Sequence, residues 1–236
     1  MSNKPTVQLL HHTPLHIASH AIRKCWASGD KSDTFIDDRP ASINRDGVVV
    51  CGPKDRELIE RVGNKFKHAS TLEHISYSFD ISEVSRALLQ ELARHRIASP
   101  SVKSTRYTLK ELKEEDAFVM YSDDRFTASY DMERASKYLV YTGDSVVDQQ
   151  SCLALEGLRT VLAIGVSNDK AKYCLPESYK TELAWTINAR SLQNFLALRS
   201  AKAALWEIRD LANAIFDALP EDHKYLFEGC MAAESE

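Results

Sequence analysis

Residues 181–199 read TELAWTINARSLQNFLALR, and this stretch joins the two periodicities that decide the fold. Its first half alternates apolar residues with others, as a half-buried strand does, at Leu183, Trp185 and Ile187. Asn188 follows at a position suited to a helix N-cap, and we predict a helix that runs to about Arg199. A strand that leads directly into a helix is typical of α/β proteins.

The predicted helix also carries polar groups that suit a binding site. Arg190 and Asn194 lie one helical turn apart, so a guanidinium and an amide are presented together. Arg199 continues the apolar face and is expected to be partly buried, where an arginine needs an anion or a carbonyl partner. An ordinary intramolecular ion pair satisfies the same need and is the alternative interpretation.

The rest of the chain reads as further strands and helices around one core. We expect a single α/β domain over residues 1–236, in which a sheet is packed by helices. Residues 27–48 are rich in Ser, Asp, Gly and Pro and are predicted to form a long, mobile surface loop. The other predicted elements are strands at 7–11 and 73–81, helices at 15–26, 54–67, 126–142, 146–166 and 202–218, and a helix capped by Ser82 or Ser85.

Composition excludes several classes of protein. The formal net charge of -4 does not favour nucleic acid, so any anion site must be a local concentration of cations. The five cysteines lack C-x-x-C spacing, and there is no basic leader or long apolar span, which predicts a cytoplasmic protein that does not bind membranes. Neither a Rossmann G-x-G-x-x-G motif nor a P-loop is present.

Residues 94–107, RHRIASPSVKSTRY, are such a local concentration of positive charge. Ser104, Thr105 and Arg106 offer hydroxyls, backbone N–H groups and a fork-shaped guanidinium, which suit a phosphate. A run of charges is also typical of an ordinary solvated face. A nucleic-acid-binding module could be built from the same cations beside Tyr107, but the acidic residues that follow at 111, 114 and 115 argue against it.

Several motifs, in order, resemble flavin-dependent thymidylate synthases. R-H-R followed by seven residues and Ser, at 94–104, resembles the family signature, and HASTLEH at 68–74 resembles its upstream segment. Leu175-Pro176 and the NARSLQNFLALR segment at 188–199 resemble its C-terminal motifs. The resemblance implies an enzyme that methylates dUMP to dTMP, with methylenetetrahydrofolate as carbon donor, NADPH as reductant and bound FAD, in a homotetramer with shared active sites.

The resemblance also assigns residues to each ligand. The residues expected to contact FAD are Ser70, Glu73, His95, Arg96, Asn188, Arg190 and Asn194. The residues expected to contact dUMP are Glu91, Arg94, Ser104, Thr105, Arg106, Lys172 and Arg199. His68 and Tyr107 are expected to border the folate and nicotinamide pocket.

The resemblance further implies that Arg94 and Arg199 hold and polarise uracil, while reduced FAD supplies hydride. No covalent link to the nucleotide is expected, because Ser104 has no general base among its sequence neighbours. Cys174 lies in a mostly apolar stretch, which favours a packed, unreactive thiol.

Three positions depart from the commoner pattern of the family. Glu91 stands where Gln is frequent, Val102 where Glu is frequent, and Lys172 where Arg is frequent. These changes leave a preference for UMP or another uridine nucleotide as an alternative, alongside a non-catalytic nucleotide- or nucleic-acid-binding protein. His12, His16 and His20 suggest a metal site only weakly, because no Cys or carboxylate completes a set, so no metal is expected.

Overall fold

The computed structural model of the chain describes residues 4–122 and 128–232. The strands are β1 (Thr6–His12), β2 (Phe35–Ile36), β3 (Arg39–Pro40), β4 (Ser76–Ser85), β5 (Ala98–Val102), β6 (Val119–Tyr121), β7 (Ala128–Tyr130) and β8 (Lys180–Asn188). The α-helices are α1 (His16–Cys25), α2 (Pro53–Ile59), α3 (Arg86–Leu92), α4 (Thr105–Thr108), α5 (Met132–Ala135), α6 (Ser145–Ala163), α7 (Asn168–Ala171), α8 (Ala189–Arg199) and α9 (Trp206–Ala218). A π-helical turn occupies Glu60–Lys65, and 3-10 turns occupy Gly29–Lys31, Ala69–His74, Leu109–Lys113, Lys172–Cys174, Lys224–Leu226 and Glu228–Cys230.

A four-stranded sheet in the order β1-β4-β8-β5 confirms the predicted α/β class. β4 and β8 run antiparallel, since Ser78 contacts Thr186 at 2.8 Å while Glu83, further along β4, contacts Lys180, earlier in β8. Along β8 the side chains at 181, 183, 185 and 187 are buried and those between them are exposed. The period of two predicted for this strand is therefore confirmed.

Contacts divide the chain into two compact units. The first unit contains the residues up to Thr6 together with Ile81–Arg94 and Ser101–Leu183, and the second contains Val7–Asp80, His95–Pro100 and Ala184–Glu236. The single domain expected over residues 1–236 stays a prediction.

Each unit has its own apolar core. In the first unit, α6 buries Cys152, Leu155, Leu158 and Leu162 against Phe118 and the turn at Leu109–Lys113. In the second unit the buried aromatic side chains form a chain of ring contacts, which runs through Tyr77, Phe79, Trp185 and Phe195. Such buried rings contribute apolar area, and Phe195 of α8 meets Trp185 of β8 edge-on, so these contacts fix the α8 helix on the sheet.

Several predicted boundaries were wrong for local reasons. The strand expected at 73–81 begins at Ser76, because i to i+3 hydrogen bonds close the preceding residues into the turn Ala69–His74. It then continues to Ser85, whose hydroxyl accepts from the Leu88 amide at 3.0 Å and caps α3, so Ser82 lies inside the strand. The helix expected at 15–26 is confirmed as α1, while the one expected at 202–218 begins later, at Trp206.

The helix predicted at 126–142 is also wrong. Residues 126 and 127 lie outside the described part of the chain, and β7 pairs with β6 over Ala128–Tyr130. Asp131 then caps the short helix α5 by accepting from the Arg134 amide at 3.0 Å. By contrast, the neighbouring helix expected at 146–166 is confirmed, with bounds Ser145–Ala163.

The predicted loop at 27–48 is more regular than its composition indicates. It contains a 3-10 turn and the hairpin formed by β2 and β3, whose turn residues Asp37 and Asp38 take positive φ angles of 47° and 60°. Thr34 donates a hydrogen bond of 2.6 Å to the buried Asp55, which also pairs with Arg23 of α1. This network anchors the loop to α1 and α2, and the mobility of the loop stays a prediction.

Candidate flavin and nucleotide site

The α8 helix presents the polar groups that its sequence predicted. Asn188 caps it, because its side-chain oxygen accepts from the Ser191 amide at 2.9 Å. Four residues of the helix are buried: Ala189, Leu192, Phe195 and Leu196. Arg190 and Asn194 are exposed on the other side, one turn apart, as expected.

Two predicted FAD residues from distant segments meet on the surface of the second unit. Glu73, in the turn Ala69–His74, pairs with Arg190, and the two charged atoms lie 2.6 Å apart. Ser70 lies in the same turn as Glu73 and is also exposed. The ion pair therefore brings the 68–74 and 188–199 motifs together.

His95 and Arg199 form a second contact in this unit. The Arg199 Nε donates to His95 Nε2 at 3.0 Å, and the imidazole lies edge-on to buried Phe195 with ring centroids 5.0 Å apart. Because arginine only donates, His95 Nε2 accepts, and the ring carries its proton on Nδ1. This bond fixes the plane of the Arg199 guanidinium, which is half-buried as predicted. Arg96, the next cation of the motif, is exposed.

In the first unit, the predicted phosphate residues lie at the start of α4. Ser104 is exposed and precedes the helix, while Thr105 is 8% exposed. Arg106 already has a carboxylate partner, since its Nε donates to Asp169 Oδ1 at 2.7 Å, and Asn168 donates to the Arg106 carbonyl at 2.8 Å. Sequence reasoning missed Asp169 and Asn168, because nothing in the local sequence indicates that α7 packs against α4.

The remaining first-unit residues are arranged as follows. Arg94 is exposed and lies 4.0 Å from Glu91, one turn earlier in the chain. Lys172 is half-buried directly after α7, so it follows the helix that holds Arg106. Tyr107 is 70% exposed and lies under the Arg106 guanidinium at 5.9 Å.

His68 is exposed in the second unit, where its backbone begins the turn Ala69–His74. The two residues expected to border the folate pocket, His68 and Tyr107, thus belong to different units.

Cys174 is exposed, so the expected packed environment was wrong. The sequence Tyr173-Cys174-Leu175 is apolar, but it forms a 3-10 turn that leaves Tyr173 88% exposed. Cysteines that are buried in the structure, Cys51 and Cys152, lie elsewhere, and burial raises the pKa of each thiol to about 11.

The weaker metal hypothesis receives no support from the histidine positions. His12 packs against His223, with ring centroids 4.9 Å apart, whereas His16 packs against Phe35 at 5.6 Å. Within residues 4–122 and 128–232, no group of three or more His, Cys, Asp and Glu side chains is arranged to hold a metal ion. Over the same residues, no helix is both long and apolar enough to cross a membrane.

Known proteins resemble this chain over almost its whole length. A family model described as thymidylate synthase complementing protein matches residues 8–223. The chain is 57% identical over 230 residues to a flavin-dependent thymidylate synthase of Campylobacter jejuni, covering 98% of this chain and 99% of the relative. It is 60% identical over 222 residues to the enzyme of that name from Wolinella succinogenes, covering 94% and 97%.

Among solved structures, the chain resembles thymidylate synthase X from Helicobacter pylori, crystallised with FAD and dUMP. The TM-score is 0.82 at 52% identity, and the match covers 96% of this chain and 99% of the other. The ordered motifs, the sheet packed by helices and these near full-length matches lead to one conclusion: the chain belongs to the flavin-dependent thymidylate synthase family.

Proposed function

We propose that the chain is an enzyme that methylates dUMP to dTMP and binds FAD. Methylenetetrahydrofolate is the proposed carbon donor and NADPH the proposed reductant. The observation that carries the proposal is the contact between Glu73 and Arg190, which joins two motif segments 117 residues apart in sequence. The family relationship supports the same reading, because a relative 52% identical to this chain was crystallised with FAD and dUMP.

The side chains of the second unit have the chemistry that FAD requires. Arg96 and Arg190 offer guanidinium groups to a pyrophosphate, and Ser70 and Asn194 offer a hydroxyl and an amide. Asn188 uses its oxygen to cap α8, which leaves its NH2 group as the part that donates to a ligand. Bound FAD would supply hydride to the nucleotide, and the protein groups would hold and orient it.

The proposed nucleotide contacts divide into phosphate binding and ring polarisation. Ser104, Thr105 and Lys172 supply hydroxyls and a positive charge for the phosphate, and Arg106 would exchange the Asp169 carboxylate for it. The pair between Arg106 and Asp169 is exposed, so breaking it costs about 1 kcal/mol or less.

Arg94 and Arg199 would hold and polarise the uracil ring as negative charge develops there. The bond from Arg199 to His95 orients the guanidinium before any ligand binds.

The proposal also covers nucleotide preference, assembly and cellular location. Glu91 beside Arg94 makes UMP a substrate to be compared with dUMP. The nucleic-acid-binding alternative is weakened because Lys103 and Arg106 pair with Glu182 and Asp169, which reduces the positive charge of the segment. A homotetramer with shared sites, a folate pocket bordered by His68 and Tyr107, and a cytoplasmic location complete the proposal.

The decisive experiment is anaerobic mixing of the purified protein with dUMP, methylenetetrahydrofolate and NADPH. We expect the flavin absorbance to bleach and dTMP to form in the same reaction. Parallel reactions that contain UMP instead of dUMP, or that lack the folate, measure nucleotide preference and the need for the carbon donor. A protein that neither retains flavin nor forms dTMP would contradict the proposal.

A further inference from the structure

Behind the exposed face of α8, hydrogen bonds join Gln193 to Asn64 and Leu226, and we call this group the junction. Gln193, between Arg190 and Asn194 in sequence, is half-buried. Its amide donates to Asn64 Oδ1 at 2.8 Å and to the Leu226 carbonyl at 2.7 Å. Both N–H groups of this side chain are thereby used, and they connect α8 to two other segments of the second unit.

Asn64 is itself held in a defined position. It lies in the π-helical turn Glu60–Lys65, and its amide donates to Glu60 Oε2 at 2.6 Å. The chain then takes a left-handed conformation at Lys67, with φ of 56°, and enters the turn Ala69–His74, which carries Ser70 and Glu73. The bond from Gln193 to Asn64 therefore couples α8 to the residues that lead into the Ala69–His74 turn, which is the other proposed FAD-binding segment.

The ion pair on the surface is a weaker coupling between the same segments. The side chains of Arg190 and Glu73 are 55% and 45% exposed, so water and salt screen their attraction. The bonds of Gln193 are partly buried from water and depend on direction, so a shift of one segment relative to the other breaks them. The bonds of Gln193, together with the bond from the Ala189 amide to the Ile75 carbonyl at 2.8 Å, thus have the geometry to set the relative position of the two segments, and the ion pair alone does not.

The C-terminal segment supports the same helix at a second point. The Ala232 amide donates to Ser200 Oγ at 2.8 Å, directly after Arg199. Together with the Leu226 carbonyl, which accepts from Gln193, this contact holds α8 at its middle and its end.

We propose that Gln193 is a positioning residue for flavin binding. Through Asn64 and Leu226, it holds α8 in a fixed position relative to the Ala69–His74 turn. In that position the proposed FAD-binding residues of both segments contact one ligand, namely Arg190, Asn194, Ser70 and Glu73. This inference rests on the proposed function, since it assumes that these segments bind FAD. It assigns to Gln193 no contact with the flavin or with the reacting atoms.

The test compares FAD binding with stability in matched variants. Gln193→Met fills a similar volume but donates no hydrogen bond, and Asn64→Ala removes the acceptor from the other side. Thr34→Val is the control, because it removes a buried hydrogen bond to Asp55 in the same unit, in the loop that precedes α2. For each protein, the free energy of unfolding without FAD is measured by urea titration, and the FAD Kd by fluorescence.

We expect Gln193→Met and Asn64→Ala each to raise the FAD Kd roughly tenfold, because the aligned arrangement becomes a minor population. Thr34→Val should lose comparable stability, with an FAD Kd within about twofold of the unchanged protein. In Gln193→Met, α8 is still joined to the Ala69–His74 turn by the ion pair and by the bond from the Ala189 amide to the Ile75 carbonyl, at 2.8 Å. The ion-pair part of this link weakens as the Debye length falls from about 10 Å at 0.1 M salt to 3 Å at 1 M salt, so the binding defect of Gln193→Met relative to wild type should grow over that range.

The outcomes separate this inference from the function on which it rests. A wild-type protein that binds no FAD overturns the proposed function and the inference together. If wild type binds FAD but Gln193→Met binds it equally well, only the positioning role is wrong. If both junction variants and Thr34→Val weaken binding in proportion to lost stability, Gln193 is merely structural, and the inference is again wrong. If Gln193→Met does not fold, Asn64→Ala decides between the same outcomes.

Discussion

Acidification should destabilise the second unit through His223. This imidazole is 1% exposed, and its Nδ1 lies 2.8 Å from the Tyr77 hydroxyl. Burial lowers the pKa of His223 to about 4; nearby Asp222 opposes this effect, while His12 and Arg56 reinforce it. The neutral ring is thus the form that the folded chain accommodates.

The direction and size of the effect follow from linkage. The pKa of His223 is lower in the folded protein than the unfolded value of about 6.5, so the unfolded chain binds more protons between these values. Its contribution to stability is therefore complete above about pH 6.5 and is lost as the pH falls toward 4. At pH 5, the expected loss is about 2 kcal/mol, at about 1.4 kcal/mol per pKa unit.

Urea unfolding at pH 7.5 and pH 5.0, at one protein concentration, measures this loss. His223→Gln keeps a hydrogen-bonding group for Tyr77 but does not titrate. On acidification, the variant should therefore lose about 2 kcal/mol less stability than wild type. Burial also lowers the pKa of His12 and of His16, so part of the pH dependence remains in the variant. Equal losses in wild type and His223→Gln would refute the reasoning.

Further predictions concern the proposed site. Arg199→Ala should remain folded and flavin-loaded but lose at least roughly tenfold in kcat, because it removes the guanidinium that His95 orients and that is proposed to polarise uracil; unfolding, or normal turnover, would favour a purely structural ion pair. Lys172→Ala should raise the KM for dUMP several-fold at low salt and less at high salt, where the charge of Lys172 is screened, while Lys172→Arg is tolerated; an unchanged dUMP titration removes this residue from the site. Cys174→Ala should stay active, and Ser104→Ala should lose mainly dUMP affinity; a protein–nucleotide adduct detected by mass spectrometry and abolished by either substitution contradicts both expectations.

The structure confirms the elements predicted from the strongest local patterns in the sequence. The alternation before Asn188 and the cap at Asn188 are local properties, so the strand β8 and the helix α8 were predictable, including the exposed positions of Arg190 and Asn194. The ordered motifs also identified the family, because the residue types and their spacing are written directly in the chain. What failed locally were the turns, such as Ala69–His74 and the π-helical residues after α2, where hydrogen bonding shifts by one residue from the α-helical pattern.

The partners of the charged groups were decided by tertiary structure alone. No periodicity indicates that Arg190 meets Glu73, that Arg106 meets Asp169, or that Arg199 orients against His95, since each pair joins segments far apart in sequence. The same holds for Gln193, whose two donors reach a π-helical turn and a C-terminal carbonyl. The sequence alone therefore determined the strand and helix around Asn188 and the family, because both depend on local order. Which cation faces which carboxylate depends on how the folded chain packs distant segments together.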